Sequence, residues 1–257
     1  MRACANVSLT PERIQHLVLC RDMVWHLLPE KLRRDVETTI AQSTVLLPEM
    51  EQRSEALVSI TRARVKGAID YTPHQEAIEA LFMAIREHRV CEVRYQAANR
   101  SEPRTHNFAP VKLLSYREAL YTSGFMTNDR GAVELTKPLV LCVHRIKKVA
   151  PTRRRFEPPV SEEVSDEYFG FMQEEPFRAK IKFDPKVAAY IRERTWSSDQ
   201  TIHEQKNGRL VLEFTAQSRP EVVSWALSFG PLAEVVGPPA IKEEIRKQVR
   251  EMQEVYG

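Results

Sequence analysis

Four residues in the middle of the chain, Tyr95, His106, Tyr121 and Arg145, are of the types that hold a phosphate-bearing ligand. Arginine and histidine supply charge-assisted hydrogen bonds to phosphate oxygens. Tyrosines supply hydroxyl donors or ring faces on which bases stack. Tyr95 shares one face of the alternating stretch VCEVRYQA with Cys91 and Val93. His106 stands four residues before Pro110, and Tyr121 follows the tight turn in SYREALYTSG. Arg145 interrupts the apolar alternation of LVLCVHRI. On strict alternation Leu141, Val143 and Arg145 share one face there, and Cys142, His144 and Ile146 the other. A guanidinium on an apolar face must be paired or reach solvent, because burying an unpaired charge is very costly. Arg145 therefore either snorkels from the strand end or belongs to an anion site.

A second set lies in the run HRIKKVAPTRRR, residues 144–155, which contains Lys147, Lys148, Arg153, Arg154 and Arg155 and no acid. Such a run either binds a nucleic-acid backbone or is a solvated linker. Charge follows the same division: residues 1–72 sum to +1, residues 73–157 to +6 and residues 158–257 to −4. The basic excess is central, which favours an anionic partner there.

Enzyme signatures are absent from the sequence. Eight glycines form no Gly-rich phosphate loop, and neither G-x-S-x-G nor H-E-x-x-H occurs. The seven histidines have no metal-ligand spacing. Asp129 and Glu134 could in principle form an acidic pair, but they read as loop-flanking residues. No catalysis and no cofactor is expected. Cys4, Cys20, Cys91 and Cys142 are widely separated and form no C-x-x-C pair, so reduced and mostly buried thiols are expected. The 257 residues contain no apolar run long enough for a transmembrane helix, and the first residues lack a signal-peptide core. A cytoplasmic protein is expected.

These residues need elements to position them. Thr10 and Pro11 open a helix over about 10–28, with Ile14, Leu17, Val18, Val24, Trp25 and Leu28 on one face. A second helix covers about 30–42. Thr72-Pro73 with Gln75 reads as a capping box that starts a helix with Ile78, Leu81, Phe82 and Ile85 as its stripe. The period then changes to two, through VCEVRYQA, THNFAP, VKLLSY, LYTSGFM and LVLCVHRIKKV. Five short strands after one helix suggest a small Sm-like or SH3-like barrel. Residues 151–175, Pro-rich and then acidic, read as an inter-domain linker. Beyond it the order is βαββαβ with one added helix over 239–256, a ferredoxin-like pattern with a hairpin at Asn207-Gly208. The expected fold class is α+β: a helical segment over 1–72, a barrel over 73–157, a linker over 158–175 and a ferredoxin-like domain over 176–257.

In this order of elements the chain resembles the WYL-domain family of bacterial transcriptional regulators. The resemblance rests on CEVRYQ, HNFAPVKLLSYREALYTSGF and VLCVHRIKKV. Tyr95 matches the family's strand-ending tyrosine, and His106 occupies the position of its basic residue before a proline. The name-giving Trp-Tyr-Leu falls on Leu120-Tyr121-Thr122, and the closing Asp-Arg-Ile on His144-Arg145-Ile146. An arginine often found upstream on the last strand would fall near Leu139. NGRLVLEF and VVSWALSFGPLAEVVGPPAIKEEI are similar to the WCX extension that follows many WYL domains. The resemblance implies a ligand-sensing, dimeric regulator core whose barrel takes a nucleotide or single-stranded nucleic acid at Tyr95, His106, Tyr121 and Arg145. It also implies operator DNA as a partner where a winged helix lies upstream, and too few residues precede Thr10 for one here. The alternative is a stand-alone nucleic-acid-binding module that uses the basic barrel face.

Overall fold

The structure is a computed structural model. It describes residues 10–47, 56–128, 135–158, 168–171 and 175–257, without the side chains of Thr136 and Lys137. The chain divides into two compact units between Pro158 and Pro159. Helix and sheet are mixed, and both sheets are antiparallel.

In the first unit, α1 spans Pro11–Val24, with the Thr10 hydroxyl accepting from the Arg13 amide at 3.4 Å. The helix is shorter than its periodicity predicts, because Trp25–Leu27 tighten into a 3-10 turn. Its buried stripe is also narrower. Ile14 and Val18 pack with Ile40 of α2 (Glu30–Thr44), while Leu17 and Val24 stay exposed. Leu27, not Leu28, enters the core of the sheet.

The predicted capping box does not form. Thr72–His74 is a 3-10 turn, the Thr72 amide donates to Asp70 Oδ1 at 2.9 Å, and α3 runs Gln75–Glu87. Its buried face is Ala77, Ile78, Leu81 and Ala84, while Phe82 is exposed. The small alanines let the helix lie close to the strands. It ends on His88, whose left-handed backbone returns its amide to the Ala84 and Ile85 carbonyls.

The strands are β1 (Arg89–Tyr95), β2 (Arg104–Tyr116), β3 (Ala119–Thr127), β4 (Leu135–Cys142) and β5 (Ile146–Arg155), in sheet order β4-β3-β2-β1-β5. Two boundaries differ from the sequence reading. THNFAP and VKLLSY are one strand, β2, with a bulge between Pro110 and Lys112. Pro110 lacks an amide and faces Gly124. A β-carbon at Gly124 would meet the Ala109 carbonyl oxygen at 2.1 Å, so only glycine permits this approach. Conversely LVLCVHRIKKV is two strands, separated by a 3-10 turn over Val143–Arg145. The even alternation of that stretch concealed the break. Residues 151–155, read as linker, continue β5 beside β1.

The second unit contains β6 (Phe177–Phe183), α4 (Pro185–Arg192), β7 (Thr201–Glu204), β8 (Leu210–Ala216), α5 (Arg219–Leu227), β9 (Ala233–Gly237) and α6 (Pro239–Tyr256). The sheet order is β7-β8-β6-β9. Gly208 takes a φ of 77° in the predicted hairpin. Trp225 sits among Phe169, Phe183, Trp196, Phe214 and Phe229, with ring centroids 4.5–5.9 Å away. Of the predicted α6 stripe, Ile241 is buried and Ile245 packs on the core, while Val249 and Met252 are exposed.

Among the described residues no helix is long and apolar enough to cross a membrane, and no group of His, Cys, Asp and Glu could hold a metal ion. Cys20, Cys91 and Cys142 are free thiols, but only Cys91 of the three is buried, against the expectation of mostly buried cysteines. Burial pushes the Cys91 thiol up to about 12. Cys4, Asp129 and Glu134 lie outside the described residues.

Candidate ligand-binding site

The site begins with the register of β1 on its two neighbours. Val93 lies opposite His106 and Tyr95 opposite Arg104 on β2. Directly opposed residues project from the same face of an antiparallel pair, so His106, Arg104 and Tyr95 emerge together. On the other side Tyr95 lies opposite Ile146, and the Gln96 amide donates to the Arg145 carbonyl at 3.1 Å. That bond seats the 3-10 turn against the end of β1.

Arg145 and Cys142 are thereby brought close to the Tyr95 phenol. Burial is the main influence on Tyr95 and raises its pKa, and the Cys142 thiol adds to it; Arg145 and the Cys142 amide act in the opposite direction. Arg145 is thus neither snorkelling from a strand nor stranded on an apolar face. It occupies a turn, where the alternation argument for its orientation does not apply.

Tyr121 is placed by β3. It lies opposite Cys142 on β4 and Leu114 on β2. Its neighbour Thr122 lies opposite Leu113 and Leu141, which pack in the core, so Tyr121 projects from the other face of β3. Cys142 is thus the register partner of Tyr121 and also lies close to Tyr95. Tyr116 packs edge-on against Tyr121, with centroids 6.4 Å apart, and carries the Arg117 guanidinium 5.3 Å above its ring.

His106 is half-buried, and its charged neighbours are Arg104 and Arg100. Burial first, and then these two guanidiniums, hold the imidazole below its usual pKa. His144 is lowered in the same way by burial, Arg145 and His74. Its Nδ1 is buried with no hydrogen-bond partner among the described residues. The structure brings Arg145 and Cys142 to Tyr95 and places His106 on the Tyr95 face beside Arg104, while Tyr121 is related to this group only as the register partner of Cys142.

Sequence reading missed Arg104, Cys142 and Tyr71. Arg104 lies one residue before the alternating stretch THNFAP, so the alternation does not reach it, yet it opens β2. Cys142 read only as a thiol. Tyr71 ended a stretch of weak periodicity, yet it is 1% exposed and accepts the Leu120 amide at 2.6 Å, beside Tyr121 and Cys142.

The basic run is distributed along β5. Lys147, Lys148, Arg153 and Arg155 are exposed. Lys148 faces Arg94 across the β1–β5 ladder, and Arg155 faces Arg89, whose guanidinium is paired with Glu87 at 2.6 Å. Like charges placed opposite one another are unfavourable unless an anion lies over them. Arg154 is engaged differently, donating to the carbonyl and side-chain oxygens of Asn128 at 2.9 and 3.0 Å. Glu92, on the same outer side of β1 as Arg94, interrupts the basic surface.

Comparison with known proteins adds the following. A WYL-domain family model matches residues 76–151, and a WCX-domain model matches residues 175–253. The chain is similar to the solved structure of proteasome accessory factor B/C (PafBC) of Arthrobacter aurescens, at 16% identity and a TM-score of 0.35. That match covers 93% of this chain and 35% of the other, so the chain spans about a third of that structure's length. A CRISPR Cas-related protein of known crystal structure is similar at 14% identity and a TM-score of 0.47, covering 96% of this chain and 70% of that one. No curated protein matches.

Proposed function

Because the chain belongs to the WYL-domain proteins that carry a WCX domain, we propose that it is the ligand-sensing core of a transcriptional regulator. In this reading the first sheet binds a nucleotide or a single-stranded nucleic acid, and the protein dimerises. The observation that carries the reading is the meeting of Arg145 with Tyr95, with Arg104 and His106 on the same face. A phosphate near Tyr95 would receive charge-assisted bonds from Arg145 and Arg104, and Tyr121 or Tyr116 would offer a ring to a base.

At the level of fold, the reading takes the first sheet as a Sm-like or SH3-like barrel. The order β5-β1-β2-β3-β4 and the single 3-10 turn between β4 and β5 support this. It takes the second unit as ferredoxin-like, which the order β7-β8-β6-β9 supports. The reading involves no catalysis, and cytoplasmic location goes with a regulator's task.

The test is titration of the full chain with a short single-stranded oligonucleotide at two salt concentrations. Each phosphate neutralised contributes a slope of about −0.7, so Arg145→Ala is expected to weaken binding and flatten the slope. Unchanged binding in Arg145→Ala removes the site.

The second reading is a nucleic-acid-binding module acting through β5. It rests on the facing cations Lys148 and Arg94 and on exposed Arg153 and Arg155. It predicts that Lys148→Ala and Arg153→Ala/Arg155→Ala weaken binding equally for all base sequences, while Arg145→Ala has little effect.

A further inference from the structure

The helical part of the first unit carries an open, cleft-like cavity of about 510 Å³ that lies away from Tyr95, His106, Tyr121 and Arg145. This volume is within the range of small-molecule sites. Its walls are the end of α1, the 3-10 turn after it, α2 and the extended segment 59–65.

One wall is held by Asp22. Its Oδ1 accepts from Arg21 Nε and Nη2 at 2.9 and 2.8 Å, and its Oδ2 accepts from the hydroxyls of Ser59 and Thr61 at 2.6 and 3.1 Å. Burial works against the Asp22 charge, but the Ser59, Arg21 and Thr61 donors outweigh it and hold the carboxyl below its ordinary range. Arg21 and Asp22 are thus engaged with each other and with the wall.

The remaining polar lining is different. Glu37 on α2 and Arg62 on the extended segment both border the cavity, and neither has an ion-pair partner among the described residues. Trp25 and His26 lie in the same lining, with Val65 and Ala63 as its apolar part. The Trp25 ring is fixed by the guanidiniums of Arg21 and Arg33, at 5.6 and 5.5 Å from its centroid, and the Trp25 carbonyl accepts from Arg33 Nε at 3.1 Å. An unpaired carboxylate and an unpaired guanidinium on two walls of one cavity, with an indole and aliphatic groups in the same lining, match a ligand that carries both charges on a partly apolar body.

We propose that this cavity binds a zwitterionic α-amino acid or dipeptide, its ammonium group on Glu37, its carboxylate on Arg62 and its side chain against Trp25 and Val65. Arg62 suits the carboxylate because a guanidinium can engage both oxygens at once. The inference stands apart from the barrel reading, since none of these residues lies in the strands or turn that hold Tyr95 and Arg145.

The experiment is calorimetric titration of the full chain with alanyl-phenylalanine, its N-acetyl derivative, its C-terminal amide and free phenylalanine. Blocking either end is expected to weaken binding at least tenfold. Glu37→Gln should then no longer distinguish the N-acetyl peptide from the free one, and Arg62→Gln should no longer distinguish the amide. Both side chains are exposed, and unchanged melting temperatures will show that the variants fold. Tighter binding of phenylalanine than of the dipeptide assigns the site to amino acids, the reverse to dipeptides, and both support it. No heat from any probe at millimolar concentration, or equal binding of free and blocked peptides, overturns the proposal. Oligonucleotide binding by the same variants is expected to be unchanged, so failure here is distinguishable from failure of the barrel reading.

Discussion

Arg145 stands close to the phenol of Tyr95 on a one-turn 3-10 helix, held there by the Gln96 amide on its own carbonyl. The two side chains therefore act as a pair. Truncating Arg145 leaves Tyr95 without its cationic neighbour, and removing the Tyr95 hydroxyl changes what the guanidinium faces. Tyr95→Phe and Arg145→Ala are expected to be non-additive in oligonucleotide binding, with a coupling of about 1 kcal/mol, the size usual for contacting residues. Binding constants for wild type, both single variants and the double variant measure it. Strict additivity shows that the pair does not hold the ligand jointly.

The β2–β3 contact yields a prediction about stability. A β-carbon at Gly124 would stand 2.1 Å from the Ala109 carbonyl oxygen and 2.7 Å from the Phe108 ring. The nearer obstacle is backbone in the middle of a ladder and cannot swing aside. Gly124→Ala is expected to destabilise the first unit by about 3 kcal/mol, at the upper end for overpacked sites. Urea unfolding followed by a probe in that unit tests this, and a change below about 0.5 kcal/mol contradicts the crowding.

Thr122 makes the opposite case. Its hydroxyl is fully buried, faces Leu113 and Leu141, and has no hydrogen-bond partner among the described residues. An unsatisfied buried hydroxyl is costly, whereas an apolar group of the same shape is not. Thr122→Val is expected to raise stability by about 1 kcal/mol, seen as a melting temperature higher by about 2–4 °C for a unit of this size. A lower melting temperature would show that the hydroxyl is satisfied.

These positions show where the sequence was legible. Helix α3, β1 and the order of the second unit follow from clean periodicity, with the Asn207-Gly208 turn as punctuation. The 3-10 turn that presents Arg145 carries no Gly or Pro, and its residues continue a pattern that alternates on both sides. Alternation reports which face a strand buries, and it is blind to a single turn that returns to the same phase. The hairpin at Arg117-Glu118 is where the sequence reads a tight turn, but its geometry and tertiary contact are not legible there. Both residues adopt left-handed backbone, at φ 45° and 64°, without glycine, and the Glu118 carboxylate accepts the Lys66 amide at 3.2–3.3 Å. That contact spans about 50 residues of sequence and leaves no local trace. Arg104 became visible as a site residue only through the pairing of Tyr95, since register is not written in either strand alone.

His106 links the proposed site to pH. Burial, Arg104 and Arg100 hold its imidazole below the ordinary value of about 6.5. In the free protein it is therefore neutral at pH 7, and between 6.5 and its own lower pKa the unfolded chain binds more protons than the folded one. His106 thus favours folding above about 6.5, and that contribution declines as the pH falls toward the folded-state pKa. A phosphate against the same imidazole reverses the balance. It offsets the two guanidiniums and raises the His106 pKa, so ligand binding takes up a proton. Oligonucleotide affinity is expected to rise as pH falls from about 7.5 to 6. His144, lowered by burial, Arg145 and His74, would contribute in the same direction. His106→Gln should flatten most of the pH dependence, and His106→Gln with His144→Gln should remove it. Binding measured over that range in wild type and both variants separates the two histidines. An affinity that is level with pH in the wild type shows that neither imidazole meets the anion.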